Sequence, residues 1–88
     1  MSKFFTTQIT TPQGLVFDSN SCHLVTVPGA DGDIGIMAHH QSIVTNLRKG
    51  QIKIFNENNS EIKTFNLNSS GFAEMIQNKL IIIADKVS

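Results

Sequence analysis

Asp31-Gly32-Asp33-Ile34-Gly35 sets two carboxylates at alternate positions among glycines, the opening of a loop that could gather oxygens around a hard cation such as calcium. The spacing does not complete one. Gly35 stands where the third oxygen ligand would fall, and Ser42 where a closing glutamate is needed. A phosphate cradle fails as well. Gly29, Gly32 and Gly35 match neither G-x-G-x-x-G nor G-x-x-x-x-G-K, and two aspartates repel a phosphate. The segment reads as a tight turn in which glycines supply positive φ and the aspartates cap it or meet solvent.

His39-His40 together with His23 raises zinc. Neighbours on a strand face opposite ways, however, and no Cys, Asp or Glu follows at a ligand spacing. Cys22-His23 has the same fault as a nucleophile pair, and a half-buried structural cysteine is the expectation. The reading is therefore no metal site, no cofactor and no catalytic residue. Arg48-Lys49-Gly50 is a basic turn ahead of a strand, either solvated or set against an acidic partner surface.

The elements that must position these residues are bounded by size. A single domain spanning residues 1–88 buries only about 60–65% of its unfolded surface, and its stability is expected at about 4–13 kcal/mol. So small a core sustains a deep, dry catalytic cavity poorly. Formal charge is zero, and six Phe with no Trp or Tyr give no stacking platform or basic groove for nucleic acid. A lone cysteine points to a reducing compartment. Leu80-Ile81-Ile82-Ile83-Ala84 is far short of the roughly 20 residues that span a bilayer, and Met1 to Phe5 lacks a signal-peptide core, so no direct membrane insertion is expected.

Strands are expected at Phe4 to Thr10, Leu15 to Phe17, His23 to Val27, Ser42 to Leu47, Gln51 to Phe55, Glu61 to Leu67, Phe72 to Ile76 and Lys79 to Ala84. Thr11-Pro12-Gln13-Gly14 and Gln77-Asn78 are turns, Asp18-Ser19-Asn20-Ser21 a polar break, and Asn56 to Ser60 a hairpin loop. The unbroken apolar run of the last strand suggests a central position covered on both sides. Many short strands without helical periodicity make an all-β antiparallel sandwich or barrel.

The order of these features, from Val27-Pro28-Gly29 through Gly50-Gln51-Ile52, closely resembles the epsilon subunit of bacterial F-type ATP synthase, the counterpart of mitochondrial delta. Gly29, Gly32, Gly35, Ile36, His40, Ile43, Val44, Lys49 and Gly50 fit that family's pattern, as do Phe17, Ser69, Gly71 through Glu74, and Ala84-Asp85. Ala38 and Ser42 stand where prolines are usual and His39 where glycine is usual, so the turn is expected to be less rigid. The family continues past Ala84-Asp85 into a C-terminal helical hairpin, which is expected to be absent here. The inhibitory and ATP-sensing roles of that hairpin are not carried over.

The resemblance implies a flattened antiparallel β-sandwich of about ten short strands. It implies a non-catalytic rotor subunit of the central stalk, docked on gamma and the c-ring, coupling proton translocation to ATP synthesis on the alpha and beta subunits. The implied place is peripheral, on the cytoplasmic face of the bacterial inner membrane. By similarity, Ala30, Asp31, Gly32 and Asp33 face the c-ring. Met37, His40, Ile43 and Val44 lie near gamma, while Gly29, Gly35, Gly50 and Gly71 are structural turn positions. A free-standing β-sandwich that binds a metal or a peptide is the competing reading, and stoichiometric zinc or an exposed unpaired edge strand would mark it.

Overall fold

A computed structural model describes residues 3–58 and 60–88. Met1, Ser2 and Asn59, the last within the expected hairpin loop, lie outside the described residues. Nine strands follow one another: β1 Phe5–Thr11, β2 Gly14–Cys22, β3 Leu24–Gly29, β4 Gly32–Met37, β5 Ile43–Leu47, β6 Gly50–Phe55, β7 Glu61–Leu67, β8 Gly71–Ile76 and β9 Lys79–Ala84. They form one curled sheet in the order β2-β1-β9-β8-β5-β3-β6-β7, with β4 on the remaining side of β3. The link from β5 to β3 is the single pairing of Leu47 with Gly29, so the sheet bends there into two layers. Phe17 of β2 meets Phe65 of β7 edge to face at 5.4 Å, which joins the far ends of those layers.

Alternation places the core. Phe5, Thr7 and Ile9 of β1 point inward, as do Ile52 and Ile54 of β6 and Leu80, Ile82 and Ala84 of β9. Each fully buried isoleucine contributes about 1.5–3 kcal/mol relative to exposure. Five expectations change. The polar break at Asp18 to Ser21 is the continuation of β2, because β1 supplies its backbone partners and its side chains need only water. The glycine segment is not all turn, since Gly32–Met37 forms β4 against β3. One pair, β1 with β9, is parallel within the otherwise antiparallel sheet. β9 is central, yet covered on one face only: Ile83 is 49% exposed beside fully buried Ile82. Unpaired edges also exist, for β2, β4 and β7 each have a named strand on one side only among the described residues, β7 with an added bridge from Leu67 to Val87. Two register irregularities and a polar sequence blunt β2 as a template for another strand.

Candidate docking surfaces

The β3–β4 hairpin closes through Gly29 paired with Gly32, leaving Ala30 and Asp31 exposed at its tip. Its shape depends on two glycines. Gly32 has φ of +142°, and a Cβ on Gly29 would lie 2.5 Å from the Gly32 carbonyl oxygen. The turn between β5 and β6 packs beside it. Ala30 N–H donates to Asn46 O and Arg48 N–H to Pro28 O, each at 2.9 Å. The Arg48 guanidinium adds bonds to Gly29 O and Asp33 Oδ1, both at 2.8 Å. Asp33 is thus held in a charge-assisted contact, and Asp31 is the carboxylate left at the tip. Sequence spacing gave no hint that Arg48 belongs to this loop.

The remaining expected turn glycines occupy strands. Gly35 is mid-β4, opposite Thr26 of β3, while Gly50 opens β6 and Gly71 opens β8. None has positive φ; a Cβ on Gly50 would press on Pro28, and one on Gly71 on the Ile83 carbonyl. Close packing is the requirement at Gly50 and Gly71, whereas a Cβ on Gly35 would meet only Leu24 Cδ1, at 3.5 Å.

Met37, His40, Ile43 and Val44 do not share one face. Met37 ends β4 on the outer side of one layer, opposite Leu24, whereas Val44 lies on the outer side of the other layer, opposite Glu74. Ile43 turns inward and packs against the core. His40 sits in the loop between β4 and β5, its N–H donating to Met37 O at 3.2 Å and its Nδ1 2.7 Å from Gln41 O. Around Val44 the fold gathers residues the sequence reading did not select. Ile83 pairs with Phe72 on β8 and with Thr10 on β1, and Thr10 in turn with Leu15 on β2. Leu15, Val44, Phe72, Ile76 and Ile83 are thus exposed apolar side chains on the outer face of β2-β1-β9-β8-β5, interspersed there with Gln8, Thr10 and Glu74. Period-2 alternation through Ile81 to Ile83 was the available signal, and the unbroken run concealed it.

No group of three or more His, Cys, Asp or Glu among the described residues is placed to hold a metal ion. His23 lies between β2 and β3, and His39 and His40 lie in the β4–β5 loop rather than on a strand. A half-open groove of about 410 Å³ runs over Thr26, Lys53 and Phe55 to the Asp33 and Arg48 pair. Its best-placed guanidinium is already committed to Asp33.

A family model described as "ATP synthase, Delta/Epsilon chain, beta-sandwich domain" matches residues 4–88. The chain belongs to this family. Other members of the delta/epsilon-chain family are similar along most of this domain. The ATP synthase epsilon chain of Latilactobacillus sakei subsp. sakei is 37% identical over 83 residues, covering 94% of this chain and 57% of that protein. The epsilon chain of Campylobacter curvus is 37% identical over 79 residues, covering 89% and 58%. This delta/epsilon-chain β-sandwich therefore spans less than two thirds of those relatives. A chain in the Euglena gracilis mitochondrial ATP synthase OSCP/F1/c-ring structure has the same fold, with a TM-score of 0.88 at 17% identity over 100% of this chain and 54% of that one. One in the Tetrahymena thermophila mitochondrial ATP synthase central stalk/c-ring structure gives 0.77 at 17% identity, covering 94% and 64%. The family matched is the one that the glycine-rich segment resembles.

Proposed function

We propose that this domain is the β-sandwich of an epsilon-type subunit in the central stalk of an F-type ATP synthase, docking on gamma and the c-ring. The observation that carries the reading is the family match along residues 4–88, in the order strand, glycine hairpin, basic turn and hairpin. It is a rotor part without catalytic residues, coupling proton translocation to ATP synthesis on the alpha and beta subunits. Its place is the cytoplasmic face of a bacterial inner membrane, held peripherally through other subunits. Among the described residues, no helix is long and apolar enough to cross a membrane.

Two features support the docking assignments. The Asp31 tip is polar and braced by Arg48, suited to meeting polar loops of a c-ring. The open apolar face around Val44, Phe72 and Ile83 suits burial against a larger subunit such as gamma. A pull-down with purified gamma tests the reading under native conditions. A stable stoichiometric complex is expected, and a domain that ignores its own gamma would sink it. Stoichiometric zinc in protein purified without a histidine tag would favour the metal-binding alternative.

A further inference from the structure

Three non-glycine residues among those described have a left-handed backbone: His39, Gln77 and Asn78. Gln77 and Asn78 are the central pair of the two-residue β8–β9 hairpin, which takes positive φ at both positions, 49° and 62°. His39 has φ of 62° at the third position of the turn Met37–His40, closed by the His40 N–H bond to Met37 O, where glycine is the favoured residue. A side chain bearing Cβ resists that conformation, and glycine, usual at this place in the family pattern, does not.

Asn78 meets the strained residue directly. The His39 N–H donates to Asn78 Oδ1 at 2.7 Å, across 39 residues of sequence. The same side-chain amide donates from Nδ2 to the Phe4 carbonyl at 3.0 Å, and the Asn78 carbonyl accepts from Thr6 N–H at 3.3 Å. One residue therefore ties the β4–β5 loop, the β8–β9 turn and the entry to β1. Both ends of its amide are used, which fixes its orientation.

We infer that Asn78 is a positioning residue: it pins His39 in the left-handed conformation and so holds the His39–Gln41 segment as a preformed part of the gamma-docking surface. The loss of the usual glycine and prolines is offset by a hydrogen bond from a distant hairpin. The inference rests on the gamma-docking reading for its consequence, although the pin itself does not.

Asn78→Gly is the discriminating variant. Glycine is favoured at the second position of such a hairpin, so the turn and fold persist while both side-chain bonds vanish. Amide exchange at His39 is expected to quicken about tenfold, as for the loss of one hydrogen bond. Affinity for purified gamma should fall about five- to tenfold, with the thermal midpoint held or raised. Adding His39→Gly to Asn78→Gly should recover most of the lost affinity, because glycine reaches the conformation without the pin. A merely structural role for Asn78 predicts no such rescue. Wild-type affinity in Asn78→Gly overturns the inference, as does a double variant no tighter than the single one. Should the wild-type chain itself fail to bind gamma, the docking reading fails, and His39 exchange alone decides the pin: quickened supports it, unchanged overturns it.

Discussion

Arg48, on the turn after β5, donates from Nη2 to Asp33 Oδ1 at 2.8 Å while its Nη1 donates to the Gly29 carbonyl at 2.8 Å. A residue 15 positions away in sequence thus braces both ends of the β3–β4 hairpin and takes one of its two carboxylates out of play. The two aspartates, equivalent on paper, have different jobs.

Asp31→Lys reverses charge at the exposed tip without touching the brace, so the urea midpoint should not move. Asp33→Lys sets two cations together and should lower stability by up to about 1 kcal/mol, the range of exposed ion pairs. In membranes reconstituted with the whole complex, Asp31→Lys should reduce ATP-driven proton pumping. Unchanged pumping would remove the tip from the c-ring contact.

The hairpin glycines are also separable. Gly29→Ala drives a methyl to 2.5 Å from the Gly32 carbonyl oxygen and should cost about 1–3 kcal/mol. Gly35→Ala meets only Leu24 Cδ1, at 3.5 Å, in an extended strand, and should be neutral or gain up to about 1 kcal/mol. Urea denaturation of the two variants measures the contrast, and equal losses would refute it.

Adjacent residues of β9 should behave in opposite ways. Ile82→Ala empties a fully buried site and should cost about 2–5 kcal/mol, a large share of the whole stability. Ile83→Ala, on the open face, should stay within about 0.5 kcal/mol. A large loss at Ile83 in the isolated chain would mean that its face is covered within the domain.

If that face meets gamma, Ile83→Glu and Val44→Lys should weaken the complex more than about tenfold while leaving the isolated fold intact. Titration calorimetry against purified gamma reads both. Wild-type affinity in the pair would place docking elsewhere on the sandwich.

The Lys3 ammonium hydrogen-bonds Glu57 and, with its charge, holds that carboxyl below the ordinary 4.5. A carboxylate whose pKa is lower folded than unfolded contributes stability above the unfolded value, and that contribution disappears as pH falls through the folded one. Wild type and Glu57→Gln should therefore converge as pH falls through the depressed folded-state value. The pair is solvent-exposed, so any difference at neutral pH should be small and vanish at about 1 M salt. Thermal midpoints across that range check it, and a gap that persists in acid would exclude this origin.

Strands β1, β3 and β5 to β9 were legible to within two residues because runs of β-branched and apolar residues fall there between clear turn signals. Gln77-Asn78 announced its hairpin for the same reason. β2 was cut short because Asp18 to Ser21 look like a loop. An edge strand with solvent on both outer sides needs backbone partners rather than apolar side chains, and sequence does not display those partners. β4 was hidden by its glycines, which read as turn until β3 is laid beside them. The candidate surfaces were legible in part: Asp31 stood out among the glycines, whereas nothing in the sequence singled out Phe72, Ile76 and Ile83 as exposed.

By itself, the sequence determined the all-β class, most turns, the absence of any metal or phosphate motif and, through the order of its glycines, the family. Only the tertiary structure decided which face of β9 stays open, that Arg48 holds Asp33, and that Asn78 holds His39. The reason is physical. Alternation assigns residues to two faces but cannot say which face another layer will cover, since that depends on β9 settling between β1 and β8. Hydrogen bonds spanning 15, 39 and 74 residues exist only after the strands between them have closed.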